Sequence, residues 1–471
     1  MNVHRTVTIL GKYENDTEVG NCHMERTKLK YISTWYENTG RCREEKEAAF
    51  LPDEGEENYL LNLYPDVTYQ TFEGFGGALT ESAGYIYSLM NPEQKEELLR
   101  AYFDGNEMGY RLVRIPIDSC DFSLGHYEAV ETAQDKAFAQ FQMDRVEKHI
   151  FPLLDDAQRV YGGRMEIMLT PWSPPAYMKT NGDRNYGGEL KQEYKKVWAD
   201  YICRYIKEYR KRGYLVRRIS LQNEPKAVQT WDSCVYTAQQ EKEFLQDYLW
   251  SALQENDLSD IEVFIWDHNK ERAYERACEI IDDTTAHMVA GIAFHWYSGD
   301  HFEALQMIRE RFPDKKLILS EACIEYSKFA SDDYLKNAQK YAHDMIGNMN
   351  HGMNAFYDWN VVLDETGGPN HVGNFCDAPF LYDRKKNELI RRNTADYLWH
   401  FTHFIKTGAV RIGMSRYCDE LEAVAFLNPD GQIAVVLLNR SAYDIKVYVR
   451  LEDKMAEVPV KGNSIGTVVV Y

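Results

Sequence analysis

Ile219-Ser220-Leu221-Gln222-Asn223-Glu224-Pro225 and Leu317-Ile318-Leu319-Ser320-Glu321-Ala322-Cys323 are the two stretches on which the reading of this chain turns. Each is a short apolar run carrying a glutamate at its end. Such a run, bounded by proline or polar residues, reads as a buried strand of a parallel sheet. Working outward, six further runs share the pattern, giving eight strands at 72–77, 110–117, 165–172, 218–224, 261–267, 289–297, 316–321 and 354–360. Helix-length amphipathic segments separate them, among them 189–212 and 237–255. Asn91-Pro92-Glu93-Gln94 opens another with an N-cap and a proline in the first turn. Eight strand–helix units predict an α/β fold, a (β/α)8 TIM barrel whose functional residues stand at the carboxyl ends of the strands.

Beyond residue 415 the period changes to two. The runs 421–426, 433–438, 445–449 and 467–471 alternate, and Asn428-Pro429-Asp430-Gly431 reads as a hairpin turn. Upstream, 59–64 reads as one more strand. The expected organisation is an N-terminal segment 1–71, a catalytic barrel 72–395, and an accessory antiparallel β-sandwich from 396–471 that the N-terminal segment completes. The polar stretch 14–57 carries no clear pattern.

Composition narrows the partners. Lysine and arginine number 54 against 74 aspartates and glutamates, a net charge of −20. That field repels phosphates, so nucleic acid and anionic membranes are disfavoured and a neutral ligand is suited. No apolar run is long enough for a membrane span. The nine cysteines form no C-x-x-C pair, and no histidines stand as H-x-H, so no metal or other cofactor is expected. His400 and His403 share a helix face, but Trp399, Phe401 and Phe404 around them read as core packing. The first residues lack the apolar stretch of a signal peptide, and the expected location is cytoplasmic. Asn15-Asp16-Thr17 and Asn439-Arg440-Ser441 match the glycosylation pattern but have no role in that setting.

Two carboxyls facing each other across a cleft are the equipment of glycoside hydrolysis, one protonating the departing oxygen and the other attacking the anomeric carbon. Glu224 and Glu321 fit those two roles. At the separation of a retaining pair their charges oppose joint ionisation, so one keeps its proton. Other strand ends supply candidate sugar contacts. Asn223 faces a 2-hydroxyl, Asp121 grips two hydroxyls, and Trp172 and Trp359 offer stacking surfaces. Tyr297 is placed to hold the second glutamate. His295 is either a contact or a satisfied core residue, and Asp267 and His268 end the fifth strand. No strand ends in the lysine that a Schiff-base lyase requires.

The motifs Gly74-Phe75-Gly76-Gly77-Ala78-Leu79-Thr80, Ser119-Cys120-Asp121-Phe122-Ser123, Pro171-Trp172-Ser173-Pro174-Pro175, Asn223-Glu224-Pro225 and His295-Trp296-Tyr297 occur in order along the chain. They continue with Ser320-Glu321-Ala322-Cys323, Asp358-Trp359-Asn360, Gly367-Gly368-Pro369-Asn370 and 435–441. The set resembles glycoside hydrolase family thirty, the acid β-glucosidase (glucosylceramidase) group of clan A. The resemblance implies a barrel joined to a β-sandwich, cleaving β-linked sugars with retention and without metal. It implies Glu224 as acid/base, Glu321 as nucleophile, and Asp121, Trp172, Asn223, Trp359 and Asn374 as ligands of the first sugar. Other implied activities are β-xylosidase, β-fucosidase and β-1,6-glucanase. The loop 226–232 departs from the glucosylceramidase pattern, and its Trp231 offers a further sugar subsite.

Overall fold

The computed structural model describes residues 26–38, 40–135 and 137–471. All eight expected strands are present and hydrogen-bond into a closed parallel barrel. They are β1 (Gly74–Ala78), β2 (Leu112–Ile117), β3 (Glu166–Pro171), β4 (Leu215–Ser220), β5 (Glu262–Asn269), β6 (Gly291–His295), β7 (Lys316–Glu321) and β8 (Ala355–Asp358). β8 pairs with β1 to close the ring. The segments read as helices form Lys195–Lys211 and a nearly continuous helix from Ala238–Glu243 to Trp250–Glu255. Asn91 is the N-cap expected of it, and it also makes a reciprocal capping box with Gln94.

Alternation along each strand sorts the side chains into two sets. Val113, Ile115, Ile167, Leu169, Ile219, Ile265, Ile292 and Leu319 face the surrounding helices. Leu112, Met168, Phe264, Ala293, Ile318, Ala355 and Tyr357 fill the barrel's interior. Below that apolar layer, Arg218 pairs with Glu262 at 3.0 Å and with Glu73, and donates to the Tyr357 hydroxyl at 3.0 Å. Above it stands a polar layer built around Arg114, and the site rests on that layer.

Gly76 explains how the ring closes. A Cβ there would stand 2.0 Å from the Leu112 carbonyl oxygen, so β1 and β2 approach to a distance that only glycine allows.

The accessory domain is a ten-stranded sheet. Leu421–Leu427, Ile433–Asn439, Ile445–Leu451, Ser464–Val470 and Leu60–Thr71 appear where period two predicts them. Val410–Tyr417 and Lys454–Val460 are additional. The polar stretch that carried no pattern holds a hairpin of Lys28–Glu37 and Gly40–Ala49, the latter forming one edge of the sheet. Its charges suit an exposed edge, where they discourage pairing with another chain; the part of 14–57 before residue 26 lies outside the described residues. Within Ile433–Asn439, residues 433–438 are all apolar because both faces are buried. Val435 and Leu437 enter the domain's own core, and Val436 and Leu438 pack on the barrel's helices. His400 is fully buried between Thr34 and Thr467, and His403 stacks on Trp399, so both are packing residues. Asn439 is also buried and spends its amide on Tyr443 and Lys461 carbonyls, which closes it to glycosylation.

Candidate active site

A cavity opens at the carboxyl ends of the barrel strands, about 550 Å³ when the space open to solvent is included. Asp121, Trp172, Asn223, Glu224, Trp231, Tyr297, Glu321, Trp359 and Asn374 all line it. Nine of the ten residues put forward as catalytic or sugar-binding thus share one hollow, and His268, also named at a strand end, lines it too.

The tenth is a correction. His295 is fully buried beneath the floor and does not line the cavity. It is the last residue of β6, facing inward, and both ring nitrogens are occupied. Nδ1 meets Glu224 Oε1 at 3.2 Å and Nε2 meets Asp267 Oδ1 at 3.1 Å. It positions carboxyls and cannot reach a sugar.

Glu224 also differs from expectation. β4 stops at Ser220, four residues before the glutamate. The chain bends, Asn223 N–H bonds the Pro171 carbonyl at 2.8 Å, and Glu224 N–H bonds the Asp267 carbonyl at 2.9 Å. Glu224 takes a left-handed backbone with φ 46°. Asp118, Trp266, Asp267 and Asn360, also near strand ends, have positive φ as well. Such conformations are costly for residues with a side chain, and their gathering here marks a site that the surrounding fold over-determines.

Arg114 organises the layer beneath. It projects inward from β2 with no exposed surface. Its guanidinium donates to Glu321 Oε2 at 2.6 Å, Asn223 Oδ1 at 2.8 Å and Asp267 Oδ2 at 2.9 Å. Sequence reading passed over it, although an arginine on the inward phase of an apolar strand was the available signal. Asp267 is in turn bound by Ser320 Oγ at 2.5 Å. Glu321 is held on its other oxygen by the Tyr297 hydroxyl at 2.9 Å, as expected of that tyrosine. Glu224 receives Gln229 Nε2 at 3.4 Å, and His268 Nε2 stands 3.9 Å away.

These contacts divide the charges. Burial drives the Glu224 carboxyl upward, but His268 and the hydrogen bond and charge of His295 outweigh it and hold the group down at about 2. Burial pushes His295 the other way, yet Glu321, Asp267 and Glu224 raise it to about 9. Together the two shifts place the proton of the Glu224–His295 hydrogen bond on the imidazole. Burial raises Glu321, and repulsion from Glu224 adds to it against the pull of His295 and Arg114. Asp121 rises to about 8 through burial and the charge of Glu321, opposed by Asn374 and Asn370 amides at 3.3 and 3.2 Å.

Trp172 and Trp359 stack 5.2 Å apart at 19°, with Arg114 4.7 Å from the Trp172 ring. Their free edges form an aromatic wall, while Trp231 stands at the rim. The lining residues not foreseen include Gln229, Asn269, Cys323, Glu325, Lys328 and Cys376.

Comparison with known proteins gives the same picture. The model described as "Glycosyl hydrolase family 30 TIM-barrel domain" matches residues 72–405, and "Glycosyl hydrolase family 30 beta sandwich domain" matches 408–468. The chain is similar to lysosomal acid glucosylceramidase of Mus musculus, 31% identical, covering 88% of this chain and 84% of the relative. It is 24% identical to an endo-1,6-beta-D-glucanase of Neurospora crassa over 84% of this chain and 83% of that one. Among solved structures, SrfJ from Salmonella typhimurium superposes with a TM-score of 0.90 at 37% identity, covering 94% of this chain and 99% of that one.

Proposed function

The chain belongs to glycosyl hydrolase family 30 and is a glycoside hydrolase, and from that premise we propose that it removes terminal β-D-glucosyl units with retention, through Glu224 and Glu321. The observation that carries this reading is that two carboxyls, one from the loop after β4 and one ending β7, line one cavity and approach one imidazole to 3.2 and 4.0 Å.

Glu321 is the nucleophile. Arg114 and Tyr297 fix both of its oxygens, which sets the direction of attack on the anomeric carbon. As that bond forms, the bond to the departing oxygen breaks, and Glu224 passes to that oxygen the proton that His295 donates to it. Esterified Glu321 is neutral, so the negative charge that held a proton near Glu224 is lost. Glu224 then removes a proton from water, whose oxygen bonds the anomeric carbon and releases Glu321. Asn223, anchored by Arg114, faces the 2-hydroxyl, where hydrogen bonding strengthens as positive charge develops.

The glucosyl preference is supported by the glucosylceramidase of Mus musculus and by the putative glucosylceramidases of Caenorhabditis elegans among the relatives. Trp231 at the rim supports a second reading, a β-1,6-linked glucan, in keeping with the endo-1,6-glucanase relative. A panel of aryl β-glucoside, β-xyloside and β-fucoside, with proton NMR of the first-released sugar, tests the proposal. The expected outcome is the highest kcat/KM on the glucoside and a β-anomer as first product. Preference for the xyloside would overturn the sugar assignment, and an α-anomer would overturn retention.

A further inference from the structure

We infer that His126, Asp232 and His371 form a binding site for a divalent first-row transition metal, of the kind that zinc occupies, in the wall behind the sugar cavity. The three ligand atoms lie within 4.8 Å of one another. His126 Nδ1 is 3.3 Å and His371 Nε2 3.6 Å from the same oxygen, Asp232 Oδ2. Metal–nitrogen and metal–oxygen bonds of about 2.0–2.1 Å in a tetrahedron place neighbouring ligand atoms about 3.4 Å apart. The two distances to Asp232 Oδ2 match one coordination shell.

Two buried polar atoms point the same way. Asp232 is almost wholly buried, and its Oδ2 faces the His126 and His371 imidazoles without a well-formed hydrogen bond; His371 Nε2 has no hydrogen-bond partner either. Asp232 Oδ1, in contrast, accepts from Arg184 Nε at 2.6 Å and Ser119 Oγ at 2.8 Å. His371 Nδ1 meets the Ser123 carbonyl at 3.3 Å, which makes Nδ1 the donor. In the neutral ring the Nε2 lone pair then faces a carboxylate oxygen. Two electron-rich atoms aimed at each other repel, and a cation held between them removes that repulsion. A carbonyl orienting the far nitrogen is the usual second support of a metal-bound histidine.

Arg184 is the opposing charge. Its guanidinium also faces Asp118 at 3.8 Å and Glu128 at 3.3 Å, so three carboxylates surround it and it does not leave the pocket cationic. Access is from His126, whose side chain is 40% exposed beside a hollow that Glu128, Glu131 and Asp183 also line.

The ligands come from the loops after β2, β4 and β8. Those loops carry Asp121, Trp231 and Asn374 into the cavity, and His371 N–H bonds the Asp121 carbonyl at 3.2 Å. A bound metal would fasten the rim without touching the reacting carboxyls. Sequence spacing gave no sign of it, because the three residues lie far apart along the chain.

The test uses the full chain freed of metal with a chelator and titrated with zinc(II) by calorimetry and with cobalt(II) by visible absorption. The expected result is one zinc per chain at micromolar or tighter affinity, with the intense d–d bands of four-coordinate cobalt. His371→Gln, which keeps the side chain's size, and His126→Ala should each weaken uptake by about tenfold or more, the scale that even outer-shell losses reach. His287→Ala, an exposed histidine elsewhere, should leave it unchanged. Absence of uptake by the unaltered chain, or equal uptake by the His126 and His371 variants, overturns the inference. Neither outcome depends on which sugar is cleaved or on Glu321.

Discussion

His295 Nδ1 stands 3.2 Å from Glu224 Oε1 and hydrogen-bonds it, and that pairing has measurable consequences. On the proposed mechanism, replacing Glu224 with alanine removes the acid for the first step and the base for the second. Glycosides with poor leaving groups should slow by about 10²–10⁴-fold. An activated aryl glucoside should keep its first step, stall as the glycosyl-enzyme, and be rescued by azide, an anion that attacks without a base. Steady-state rates on both substrate types, with and without azide, check this; equal loss on both and no rescue would remove Glu224 from the role. His295 supports a second test. Its folded value of about 9 lies above the ordinary 6.5, so the imidazolium contributes stability that is fully present below pH 6.5 and lost as pH rises through about 9. The shift corresponds to something on the order of 3 kcal/mol for a wholly buried group. His295→Gln should therefore be less stable than the unaltered chain in urea at pH 6, with the gap narrowing by pH 9.5. A gap independent of pH would mean that the ring is neutral in the folded protein.

Strands and loops decide what was legible in the sequence. The eight barrel strands announce themselves because both their faces are buried, leaving short apolar runs between amphipathic helices. The same uniformity hides the inward phase, and Arg114 was overlooked within β2 for that reason. The offset of Glu224 from the end of β4 was equally hidden, since its bend is imposed by hydrogen bonds to Pro171 and Asp267 on neighbouring strands rather than by its own residues. Gly76 was readable as a close-packing position, and it yields a prediction for the element. A methyl group at Gly76 meets backbone rather than a movable side chain. Gly76→Ala should destabilise the barrel by about 2–3 kcal/mol, measured as a drop in the urea midpoint at unchanged slope. A midpoint within error of the original would show that β1 and β2 can separate without penalty.

At the scale of the whole molecule, the sandwich's main strands were legible from their period of two, while its N-terminal hairpin was not. Gly40–Ala49 is an edge strand with little buried surface, so no apolar pattern marks it. Ile433–Asn439 and Ser464–Val470 then join the two domains through side chains such as Val436, Leu438 and Ile465 in the barrel's helical layer. The cavity itself lies on the barrel alone, where Glu321 is braced by Arg114 and Tyr297 opposite Glu224. The most direct test of that arrangement is inactivation with 2-deoxy-2-fluoro-β-D-glucosyl fluoride, followed by peptide mass mapping. The account predicts a single fluoroglucosyl ester on Glu321. A label on Glu224 or on another residue, or turnover with no covalent intermediate and inverted product, would contradict it.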